Sequence, residues 1–80
     1  MRLDLNEKLI RRFDVTTAVI MAIADASDLW PVRISAFLEV FPYLDQRTLR
    51  NRFDALAKEG ILQKVTSRDE RNIVCVCYEK

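Results

Sequence analysis

The sequence predicts an α+β fold, mostly α, in a single domain of 80 residues. Two observations carry most of that expectation. Apolar residues recur at helical spacing in separate stretches that all lie before Gly60, the only glycine of the chain. Two β-rich runs then follow, Ile61 to Val65 and Ile73 to Tyr78, separated by the polar hairpin-type segment from Thr66 to Asn72. A third observation sharpens it, because the stretches are bounded by residues that start or stop helices: Asp14, Pro42, Asp45 and Gly60.

Each element has its own local cause. Residues 6–13, with Leu5 just before them, place Leu5, Leu9, Ile10 and Phe13 toward one side and Lys8, Arg11 and Arg12 toward another, which predicts a short amphipathic helix. Asp14, Thr16 and Thr17 offer N-cap side chains for a second helix, whose Ala18-Val19-Ile20-Met21-Ala22-Ile23-Ala24 run is apolar nearly all round and therefore belongs at the centre. It should end near residues 25–28. The segment from Leu29 to Arg33 reads as extended, since the residue before Pro31 is biased away from helix. Ile34, Phe37, Leu38 and Phe41 mark a third helix that Pro42 stops. Asp45 caps a fourth, with Leu44 and Leu49 placed as a hydrophobic staple, and Gly60 ends it. Leu49, Phe53 and Leu56 form its buried stripe, expected to pack on Ile20, Ile23 and Phe37.

Composition narrows the function. Thirteen basic and twelve acidic residues leave a net charge of +1, so the total does not point to a polyanionic partner. Their distribution is uneven: five basic and six acidic residues lie in positions 1–42, against seven basic and five acidic in positions 43–72. No apolar run is long enough to span a bilayer, and the Met1-Arg2-Leu3-Asp4-Leu5-Asn6 start lacks a secretion signal's apolar core, so a cytoplasmic protein is expected. Cys75 and Cys77, two apart on one strand, suit neither a mutual disulfide nor a zinc site, and no metal or cofactor is expected. With no histidine, no phosphate-binding glycine loop and no acid pair beside a nucleophile, an enzyme is not expected either.

The order helix, helix, extended piece, helix, helix, strand, strand is that of a winged helix-turn-helix with a C-terminal β-hairpin wing. The stretch from Thr48 to Leu62, with its Thr, apolar residue, Asp, Leu and closing Gly-Ile-Leu, resembles the recognition helix of MarR-type regulators. Asp69-Glu70-Arg71, followed by the apolar strand Ile73-Val74-Cys75-Val76, is similar to the Asp-x-Arg wing of that family. The resemblance covers Ile34 to Tyr78. It implies binding of double-stranded DNA, with the wing arginine, here Arg71, entering the minor groove and Asp69 orienting it. Two departures stand out: Asn51 occupies a position where the family usually carries arginine, and the family's added dimer-forming helices have no counterpart here. Pairing of two copies would fall to the Leu5 to Phe13 segment. No small-molecule ligand is expected, since the family's effector pocket lies near those added helices.

The chemistry expected of the site follows from donor types. Gln46, Arg47, Arg50 and Asn51 project from the exposed side of the fourth helix, where arginine suits guanine edges and Gln or Asn suits adenine. Thr48 and Lys58 suit phosphate contacts, and Arg68 could share the work of Arg71. Asp54 opposes them unless Arg50 or Lys58 pairs with it at i±4. The alternative is a winged-helix protein-protein interaction module within a larger assembly, with Trp30, Tyr43 and Tyr78 as aromatic anchors.

Overall fold

Capping and stop residues place the helices where the pattern puts them. The computed structural model describes residues 4–80, so the first three residues of the segment read as lacking a secretion signal's apolar core lie outside the described residues. Helix α1 (Glu7–Arg12) begins at Asn6, whose side chain accepts the Lys8 backbone N–H at 2.9 Å. Helix α2 (Val15–Ala26) begins at Asp14, whose carboxylate accepts the Thr17 N–H at 2.8 Å. At its far end Asp28 takes a left-handed conformation (φ 52°), and the Asp28 and Leu29 N–H groups close onto the Asp25 and Ala24 carbonyls. This is a Schellman stop with aspartate in the position usually held by glycine.

The extended connection becomes a strand, β1 (Val32–Arg33), preceded by a cis Trp30–Pro31 peptide bond, and leads directly into helix α3 (Ile34–Val40). Helix α4 (Gln46–Lys58) follows after a short turn. The Asp45 carboxylate accepts the N–H groups of Arg47 and Thr48 and the Thr48 hydroxyl, the last at 2.7 Å. Gly60 ends α4 at φ +80°, with the Gly60 and Ile61 N–H groups bonded to the Ala57 and Leu56 carbonyls in a second Schellman stop.

Strands β2 (Gln63–Arg68) and β3 (Val74–Glu79) form the hairpin, and the three antiparallel strands run in the order β1-β3-β2. That β1 joins the sheet was not foreseen. Period-2 patterning needs several residues to register, and a two-residue strand has none to show. The register sets Val32 and Lys64 on either side of Tyr78, and Arg33 beside Cys77.

The core lies where α2, α3 and α4 meet the sheet. Ile20, Ile23, Phe37, Leu49, Phe53 and Leu56 are buried together, as the apolar stripes require. Phe53 meets Phe37 edge to face at 5.9 Å and stacks on Tyr78 at 5.1 Å. Tyr78 is therefore a core residue and not an available aromatic anchor: the pleat of β3 turns its ring beneath α4. Leu9 is also buried in this core, with Ile10 and Phe13 half-buried against it. The apolar side of α1 thus packs within its own domain, while Leu5 before it stays exposed. Arg12 pairs with Glu59 and ties α1 to the end of α4. No helix of the described residues is long and apolar enough to cross a membrane.

Candidate nucleic-acid interface

The exposed face of α4 and the hairpin are brought side by side by the sheet. Gln46, Arg47, Arg50 and Asn51 are exposed on α4 and, with the capping Asp45, line one concavity. Gln46 and Arg50 also line a second cleft of about 500 Å³, shared with Arg33, Ile34, Lys64, Val76 and Tyr78. Arg33 in turn lines a third, together with Arg68, Asp69, Glu70 and Arg71 beneath the hairpin tip. Neighbouring concavities share walls: Gln46 and Arg50 border the first two, and Arg33, which starts beside Cys77 on the opposite sheet face from Lys64, borders the second and third, so Arg47, Arg50, Arg33, Lys64, Arg68 and Arg71 line adjoining concavities.

Most acids on this face are engaged in holding it together. Asp45 is occupied by the cap, and its Thr48 hydroxyl and Arg47 and Thr48 N–H partners hold its carboxyl below the usual aspartate range. Asp54 is pushed up by partial burial, but the Tyr78 hydroxyl at 2.6 Å, Lys64 at 3.2 Å and the nearby Arg50 charge outweigh that and lower it. Its salt-bridge partner is therefore Lys64 from β2, rather than Arg50 or Lys58, the pairings that helical spacing allows. A cross-element contact outranks an i±4 pair because the tyrosine hydroxyl has already fixed the carboxylate toward the sheet. Burial and then Asp54 itself push the Tyr78 hydroxyl well above its ordinary value.

The hairpin tip is ordered by its own side chains. Asp69 accepts the backbone N–H groups of Arg71 and Ile73 at 2.9 and 3.0 Å, and Asn72 takes the left-handed conformation (φ 62°) that closes the turn. Arg68 donates to the Asn72 backbone and side-chain oxygens at 3.2 and 3.4 Å. Asp69 is thus tied to the Arg71 backbone, so it shapes the turn on which Arg71 stands exposed; no bond to the Arg71 guanidinium is found among the described residues.

Two residues expected at the site stand apart from it. The Thr48 hydroxyl is consumed by Asp45, and Lys58, exposed on the last turn of α4, lines none of the three concavities. Arg52 also turns away, pairing with Asp14 at 2.9 Å. Arg33 and Lys64 are the residues that sequence reasoning missed. Lys64 was legible as an exposed charge in a β run, but nothing local to Val32-Arg33 announces that β1 sits beside the hairpin. Cys77 is buried and Cys75 half-buried, both as free thiols, in keeping with small strand-packed residues. Comparison with protein-family models, with curated proteins and with solved structures returns no match to this chain.

Proposed function

We propose that the domain is a winged helix-turn-helix that binds double-stranded DNA sequence-specifically, as a small transcriptional regulator, with α4 in the major groove and the arginine-tipped hairpin as its wing. The observation that carries this reading is the set of adjoining concavities lined by Arg47, Arg50, Arg33, Lys64, Arg68 and Arg71. Phosphate contacts need such a track, and base readout needs donors on a helix able to enter the groove; Gln46, Arg47, Arg50 and Asn51 are those donors. Charge on one face matters more to a polyanion than the near-zero total.

Fluorescence anisotropy with mixed-sequence and selected duplexes, in low salt and against heparin, tests it. Arg47→Ala and Arg50→Ala should each weaken binding to a preferred site by about 1–3 kcal/mol and relax its sequence preference. A folded parent that binds no duplex at low salt removes the proposal.

Pairing of two copies belongs to the same reading, because a lone module buries only about 600–1,000 Å² on DNA. Leu9 is committed to the core, so Leu5 and Val15 are the exposed apolar residues left near that end among those described. A strict monomer by sedimentation at high micromolar concentration, free and on DNA, would remove pairing alone.

One observation favours the protein-interaction reading. Tyr43, in the turn before α4, is 81% exposed and meets Phe41 edge to face at 5.0 Å. Exposed aromatics are common interface anchors. Tyr43→Ala should leave duplex binding unchanged if the ring serves a protein partner.

A further inference from the structure

One side of β3 is left unfinished. Strand β2 pairs with β3 along its length, whereas β1 covers only Cys77 and Tyr78 before the chain turns into α3 at Ile34. Among the described residues no strand pairs with Val74, Cys75 or Val76 on that side. Open edges are ordinarily blunted by lysine, proline or a bulge, because unpaired backbone groups recruit further strands. Here the edge reads Val-Cys-Val, and Ile73, Val74 and Val76 are 54%, 55% and 39% exposed. The cleft of about 500 Å³ runs beside it, bounded by Arg33, Ile34, Gln46, Arg50, Lys64 and Val76.

We propose that this edge receives an extended acidic segment of a partner protein, seated as an added strand where β1 leaves off. The backbone of residues 74–76 supplies the hydrogen bonds, and Val74 and Val76, exposed on one face of β3, offer apolar contacts to side chains on one face of the incoming strand. Charge decides the occupant. Arg33 and Arg50 border the cleft beside Lys64, which is shared with Asp54, and Arg68 and Arg71 line the next concavity with Asp69 and Glu70, so an acidic strand gains chiefly at Arg33 and Arg50. A second copy of this chain is disfavoured by the same residues, since two-fold pairing of β3 with β3 would bring the arginines of both copies together. Gln46 and Arg50 form a wall of the cleft, so a seated strand covers them.

The test uses the full chain, labelled with ¹⁵N, and three short capped peptides. The first alternates valine with glutamate, the second is the same peptide N-methylated at every other backbone nitrogen, and the third alternates valine with lysine. The glutamate peptide should perturb the amides of residues 73–76 and 33–35 and slow exchange at 74–76. N-methylation should weaken binding by about tenfold or more, because it removes the strand bonds and keeps the charge. The lysine peptide should not bind. Equal binding of the first two peptides would reduce the site to charge attraction and overturn the proposal. So would absence of binding by the glutamate peptide, or concentration-dependent protection of residues 74–76 with no peptide present, which would make a second copy the occupant. The readout is peptide on free protein, so its failure is separate from any failure to bind DNA.

Discussion

Phe53 shows how much one side chain carries in a chain of 80 residues. It is fully buried, edge-on to Phe37 and stacked on Tyr78, and so joins α3, α4 and β3 at one point. Phe53→Ala should cost about 3–5 kcal/mol, a large share of what a small domain has, and should show as a collapse of the melting temperature. Glycine and aspartate at the two helix stops make the opposite case, in which the backbone alone decides. A Cβ at Gly60 would meet nothing within 4 Å, yet φ is +80°, so Gly60→Ala should destabilise by about 1–2 kcal/mol through conformation only. Asp28 sits at φ 52° in the equivalent position after α2, and Asp28→Gly should stabilise by about 0.5–1 kcal/mol. Chemical denaturation of the two variants should move the midpoint in opposite directions. The Gly60 stop was legible from the sequence because glycine announces a left-handed residue; the Asp28 stop was legible only as a helix ending somewhere near residues 25–28.

At the level of elements, α4 is fastened to the hairpin by Tyr78, Asp54 and Lys64, and this fastening titrates. The Asp54 carboxyl is lowered in the folded protein, so its contribution is present above the ordinary aspartate value of 3.8 and is lost as pH falls through the lowered value. Asp14, held down chiefly by the Thr17 N–H, and Asp45, held down chiefly by the Thr48 hydroxyl, act in the same direction at the starts of α2 and α4. Acid should therefore loosen both helix starts and the α4–hairpin contact below about pH 4. Tyr78 has the opposite sign. Burial and Asp54 raise its hydroxyl, so the stability it adds is complete below the ordinary tyrosine value of 10.0 and is lost as pH rises beyond it. Tyr78→Phe should flatten the alkaline limb of a melting-temperature profile, and Asp54→Asn should flatten part of the acid limb. Unchanged limbs in both variants would show that these bonds do not titrate with folding. The helices themselves were readable from caps and apolar spacing, but this fastening was not, because its members lie on three different elements.

Across the whole molecule the charge that matters is local. A net charge of +1 hides a surface of adjoining concavities to which Arg33, Lys64 and Arg71 contribute beside the arginines of α4. If that face tracks phosphates, Arg33→Ala and Arg71→Ala should each reduce the slope of log affinity against log salt by about one and weaken many sequences alike. Lys58→Ala, exposed but outside the face, should leave the slope unchanged. All three substitutions fall on exposed side chains, so their melting temperatures should stay near the parent's. Equal slopes for all three variants would mean that the face is not used as a track.

What the sequence determined by itself is what neighbours along the chain decide: where each helix starts and stops, which stripe it buries, and where a hairpin turns. Asp14, Asp45 and Gly60 act within a few residues, so their effect can be read from a few residues. The tertiary structure alone decided three things. It spent Leu9 inside the core, it placed Tyr78 under α4 with Asp54 and Lys64, and it slid the two-residue β1 beside β3 so that Arg33 joins α4 to the hairpin while the β3 edge beyond it stays open. Each of these is a pairing between residues distant in sequence. Their partners are selected by how the sheet closes against the helices, and no local pattern encodes that choice.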